Sequence, residues 1–88
     1  MRVIDGAEVW RLHAEMGFPL DLSVPMLWDE GEVPSWDRLL TAAAKDGANL
    51  PRLVERLKMA VRDCATASDA EYVARGLDLL LGRMKGET

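Results

Sequence analysis

Leu50-Pro51-Arg52-Leu53-Val54-Glu55-Arg56-Leu57-Lys58-Met59-Ala60-Val61-Arg62-Asp63-Cys64 repeats its apolar residues at intervals of three and four. At ~100° per residue, Leu50, Leu53, Val54, Leu57, Ala60, Val61 and Cys64 fall on one side of an α-helix and stay there for about four turns. Arg52, Glu55, Arg56, Lys58 and Arg62 fall elsewhere on its circumference. Asn49 stands immediately before the run, where a short polar side chain can accept a hydrogen bond from a free amide of the first turn. The segment therefore predicts an amphipathic helix with a basic outer side, whose stripe other apolar faces must cover.

Those faces lie on both sides of it. Upstream, Trp36, Leu39, Leu40 and Ala43 form an i, i+3, i+4, i+7 set in a helix that starts near Pro34 or Ser35 and stops at Gly47. Downstream, Ser68 and Glu71 have capping-box spacing for a last helix that runs to about Met84. Ala70, Val73, Ala74, Leu77, Leu80, Leu81 and Met84 make its broad stripe, and Tyr72, Gly76, Leu79 and Arg83 lie nearly opposite. Nearer the start, Asp5 caps a first helix with Glu8 as its box partner, Val9, Leu12 and Met16 as its apolar stripe, and Gly17 as its end. Phe18-Pro19-Leu20 reads as an extended connector. A short second helix then runs from about Leu22 to Glu30, capped by Asp21 or Ser23, with Pro25 in its first turn and Gly31 after it.

No stretch alternates with a period of two, and β-branched residues do not cluster, so the fold class is all-α. Five short helices on brief connections cannot form long parallel seams, which predicts a compact, irregular, orthogonal bundle. Residues 1–85 form its single domain and residues 86–88 a frayed tail. Trp10, Trp28 and Trp36 are expected to wedge between the helices, their large area filling a thin core.

Composition narrows the function classes. Of the 88 residues 49% are apolar and 30% charged, a balance suited to a packed core. The net charge of −4 argues against a protein that coats nucleic acid. Residues 1–37 hold eight acids against Arg2 and Arg11, whereas residues 38–88 hold nine bases and seven acids, so the balance is −6 for the first part and +2 for the second. Such asymmetry suits docking onto a partner protein or a second copy. Cys64 is the only cysteine, which excludes a disulfide scaffold, and with His13 alone beside it no ordinary zinc site can be built. No segment has the roughly 20 apolar residues of a membrane span, and a cytoplasmic location is expected.

Catalytic arrangements are missing from the pattern. His13 lies beside an apolar stripe and is expected to be half-buried rather than a general base. Ser23, Ser35 and Ser68 each fall where a helix cap is needed. Asp29, Glu30 and Glu32 lack the alternating oxygen spacing of a calcium loop and read as solvated, and Cys64 falls on a core stripe. No catalytic, cofactor-binding or metal-binding residue is assigned, and no cofactor is expected.

Two surfaces remain. Tyr72, Gly76, Leu79 and Arg83 combine an aromatic, a leucine and an arginine around a glycine, the composition of a binding hot spot. A glycine costs about 1 kcal/mol relative to alanine inside a helix, a cost better understood if a backbone or ring approaches there. Arg52, Arg56, Lys58 and Arg62 make a basic face on the second member of a helical pair joined by Gly47-Ala48-Asn49, the outline of a helix-turn-helix. Asp46 stands where such motifs usually carry an apolar residue.

Leu12-His13-Ala14-Glu15-Met16-Gly17-Phe18-Pro19-Leu20-Asp21-Leu22-Ser23 resembles the segment that follows the aminoacylation core of alanyl-tRNA synthetases, where a Leu, a few polar residues and Gly-Phe-Pro-Leu-Asp-Leu-Thr recur. The specific part is Gly17 to Leu22, with a looser likeness over residues 9 to 45. The family's ATP-binding and metal-binding motifs are missing, so the resemblance implies no ligase or editing activity. It implies a similar helical corner, or a module related to a tRNA-contacting helical region. Taken together, the sequence predicts a non-enzymatic protein-interaction or accessory module whose partner is another protein or a second copy, with a helix-turn-helix-like domain for DNA or tRNA as the alternative.

Overall fold

Around α4 (Leu50–Cys64) stand β1 (Arg2–Ile4), α1 (Gly6–Met16), α2 (Leu20–Asp29), β2 (Glu32–Pro34), α3 (Trp36–Lys45) and α5 (Ala67–Gly86), in a computed structural model that describes residues 1–86. The expected all-α bundle of five helices is what the chain forms. Leu53, Val54, Leu57, Ala60 and Val61 bury the α4 stripe, and Asn49 Oδ1 accepts the Arg52 N–H at 3.2 Å. Pro51 lies in the first turn, where an absent N–H breaks no helical bond. α2 and α5 both pack on α4, α1 packs on α3, and α3 touches α4 only lightly. The radius of gyration, 12.0 Å, matches the roughly 12 Å of a close-packed chain of this length.

Two short strands depart from the expectation of helices alone. β1 and β2 pair in parallel with Arg2 opposite Glu32, Val3 opposite Val33 and Ile4 opposite Pro34. The Arg2 N–H donates to the Gly31 carbonyl and the Ser35 N–H to that of Ile4, both at 2.8 Å, so the ladder runs past both strand ends. Three residues are too few to display a period of two, and Pro34 terminates a pair in which it need not donate. Glu32 is not solvated as expected, because it forms an ion pair with Arg2 and its side chain is largely covered.

Helix ends follow the expectations in part. Asp5 Oδ1 accepts the Ala7 N–H at 3.0 Å, and Gly17 closes α1 at φ 70°, a left-handed conformation that favours glycine. Glu8 does not complete a box; it binds Arg11 one turn on. α2 begins at Leu20 rather than Leu22, so neither Asp21 nor Ser23 caps it; Pro19 precedes it and the Ser23 hydroxyl donates to the Pro19 carbonyl. Pro25 consequently stands beyond the first turn. α3 ends with Ala48 N–H donating to Ala43 O and Gly47 N–H to Ala44 O, a Schellman arrangement. α5 starts earlier than Ser68 implies, with Thr66 Oγ1 accepting from Asp69 N–H while Glu71 pairs with Arg75. It continues through Gly86, past the expected start of the tail; residues 87–88 lie outside the described part.

Gly6 explains how α1 meets α3. A Cβ there would stand 2.8 Å from Leu39 N and 2.9 Å from Leu39 Cβ, and closer still to the Ser35 carbonyl oxygen. Bare backbone therefore faces backbone at this crossing, and the Gly6 N–H donates to Ser35 Oγ at 2.9 Å. Ser35 thus serves the neighbouring helix and makes no side-chain cap bond to its own. Trp10 adds a second tie, its Nε1–H donating to Asp46 Oδ2 at 2.7 Å. The three tryptophans bear on the core from its rim, each partly buried, while leucines and valines fill the centre.

A candidate interaction groove between the first two helices

The α1 stripe does not behave as its periodicity predicts. Val9 is buried, but Leu12 and Met16 are 47% and 75% exposed. α1 turns Gly6 and Val9 inward and half-buries Trp10 and His13, an arc that leaves Leu12 and Met16 to one side. α2 rests on α4 instead of on α1, so these consecutive helices scarcely touch. Between them lies a groove of about 410 Å³ with an almost wholly apolar lining. Ile4, Val9 and Leu27 are its better-buried residues, and Leu12, Met16, Phe18 and Met26 stand around it. Phe18 and Met26 are 41% and 58% exposed. His13 holds the connector in place, its Nδ1 lying 2.9 Å from the Phe18 carbonyl oxygen and donating to it.

The groove is framed by acids. Asp5 and Glu8 are the charged residues in its lining. Residues 5–30 contain Asp5, Glu8, Glu15, Asp21, Asp29 and Glu30 against Arg11 alone. Arg11 binds both Glu8 and Glu15, while Arg38 from α3 reaches Asp5 at 2.8 Å and Arg56 from α4 reaches Asp21 at 3.5 Å. The hydrogen bond from Arg38 holds the Asp5 carboxyl below its ordinary range. Counting all three arginines, six acids against three bases leave −3 around the groove.

The residues singled out on α5 face outward. Tyr72 and Leu79 are 80% and 74% exposed, Arg83 is exposed as well, and Tyr72 borders a cleft that Met1 and Val3 also line. Gly76 has nothing within 4 Å of where a Cβ would stand, so the expected close approach is absent. Gly76→Ala should therefore raise stability by about 1 kcal/mol through helix propensity alone. A thermal melt checks this, and a loss of stability would show that the glycine is needed.

Arg52, Arg56, Lys58 and Arg62 do not make one basic face. At ~100° per residue, Arg52 and Arg56 lie within one arc and Lys58 and Arg62 in another more than a third of a turn away. Arg56 leans to Asp21 on α2, whereas Lys58 runs toward α5, reaching Asp78 at 2.6 Å and Glu55 at 3.3 Å. Its side chain is mostly covered, and the hydrogen bond to Asp78 pushes its pKa up. Asp46, meanwhile, accepts the Trp10 indole and so belongs to the α1–α3 contact.

Cys64 is half-buried with its thiol donating to the Ala60 carbonyl at 3.3 Å. Burial, reinforced by Asp29 and Asp63, pushes the thiol pKa up, the reverse of what an attacking thiolate needs. Among the described residues, no three His, Cys, Asp or Glu side chains converge as a metal site would require, and no helix is long and apolar enough to cross a membrane. Comparison with protein-family models, with curated proteins and with solved structures gives no match to this chain.

Proposed function

We propose that this protein is a non-enzymatic interaction module that binds another protein through the groove between α1 and α2. The carrying observation is the grouping of Leu12, Met16, Phe18 and Met26, all well exposed, around one apolar depression. Scattered apolar residues are normal on a protein surface, but a contiguous apolar depression rimmed by polar groups is a hallmark of a binding site. Two methionines at its mouth suit such a role, since unbranched thioether side chains repack around different shapes. The α5 residues Tyr72, Leu79 and Arg83 offer a second, flatter surface for a partner or another copy. Nucleic-acid binding through α4 has less support, because Arg56 and Lys58 are engaged by carboxylates and point apart.

Site-specific photo-crosslinking in the source cell separates these surfaces. A benzophenone side chain at position 16 or 26 should form adducts with another protein, and one at position 79 should form few. Adducts at 79 with none at 16 or 26 would transfer the function to α5 and sink the groove.

A further inference from the structure

The occupant of the groove can be specified further, and this step rests on the groove being the binding surface. We infer that it receives an amphipathic helix carrying basic residues on either side of its apolar face. The lining decides the backbone conformation of the guest. An extended peptide laid on carbon would lose water from its N–H and C=O groups without gaining partners, whereas a helix satisfies those groups internally. No strand edge lies in the groove for an extended peptide to join, since its long walls are the helices α1 and α2. Eleven residues in α1 make a wall of about 16 Å, enough for two to three turns of a guest presenting apolar side chains at i, i+3 or i+4, and i+7.

Charge decides the chemistry of the guest's flanks. Glu8 and Asp5 border the apolar lining directly, and Asp29 and Glu30, at the far end of α2, have no ion pair among the described residues. The −3 balance around the groove would repel an acidic helix and draw a basic one, an effect that should weaken with salt. Flexible Met16 and Met26 at the mouth then accept Leu, Ile or Phe anchors without demanding one shape.

Two designed helical peptides of about five turns test this, one of Leu, Ala and Lys and the other with each Lys replaced by Glu. Fluorescence anisotropy of the labelled peptides against the full chain should show binding of the Lys peptide, at least tenfold weaker at high salt than at low, and none of the Glu peptide. Met26→Gln should weaken the Lys peptide about tenfold while the melt stays unchanged. Equal binding of both peptides, lost in Met26→Gln, would overturn the basic partner yet leave the groove as the interface. Lys-peptide binding that ignores Met26→Gln would be surface charge attraction and would overturn the inference. So would a dimer in sedimentation that Met26→Gln dissolves, since the occupant would then be a second copy. Failure of both peptides would also overturn it, while crosslinking from positions 16 and 26 decides the groove separately.

Discussion

Gly6→Ala is expected to cost about 3 kcal/mol, a large share of the roughly 4 to 13 kcal/mol that holds a domain of this length together. Helix propensity alone predicts the opposite sign, since alanine outranks glycine at a helical position. The new methyl would strike the Ser35 carbonyl and the Leu39 backbone, neither of which can rotate away as a side-chain tip could. α1 must therefore lift from α3, straining the Gly6–Ser35 hydrogen bond and the Trp10–Asp46 tie. A melting temperature lowered by roughly 15 °C is the expected reading. An unchanged melt would mean that α1 is not seated on α3 as described. Placed beside Gly76→Ala, the same substitution should give opposite signs at two helical sites, which separates contact from propensity.

Leu57→Ala is expected to be as damaging, at about 2 to 5 kcal/mol. Leu57 is fully buried at the middle of α4, the one helix on which both α2 and α5 rest. Deleting most of its side chain leaves a void that three helices border, and helices held at both ends by caps and short connections can collapse into it only partly. Urea unfolding should show a lower midpoint with a nearly constant slope. A change below about 1 kcal/mol would show that the site relaxes far more freely than a fixed bundle allows.

Period was the legible part of this fold. The α3 and α4 stripes, the Asp5 and Asn49 caps and the Gly17, Gly31 and Gly47 stops can be read residue by residue, because each depends on neighbours within about one turn. Contacts across distance were not legible. Ser35 looks like a cap for α3, and only the folded chain shows its hydroxyl turned to Gly6, 29 positions away. The β1–β2 pair is three residues on each side and leaves no pattern.

The groove was missed for a related reason. Spacing shows that Val9, Leu12 and Met16 share a side of α1, but not whether another element covers that side. One signal was available: Val9, Trp10, Leu12, His13 and Met16 are too many for a single contact face, the same excess that drew attention to Tyr72 and Leu79 on α5. Phe18 and Met26 come from other segments, and nothing local to them announces a shared surface. Basic residues on α4 misled in the converse way, since intervals of two to six were grouped without regard to angle, and Lys58 belongs with Asp78.

The parallel ladder has a consequence for how the chain opens. Ile4 meets Pro34 across a closed ring of about thirty residues, and forming such a ring costs on the order of 3 kcal/mol of chain entropy beyond a constant term. Three residue pairs return too little to sustain that closure alone. The ladder is therefore stable only while Gly6 is seated on α3, and the seat in turn is aligned by the ladder through Ile4 and Ser35. Ladder and seat form one cooperative unit that closes or releases together, whereas α4 and α5, joined by Ala65 and Thr66, associate with almost no ring to close. Loss of the amino-terminal seam would accordingly free α1 as a whole and take one wall of the groove with it.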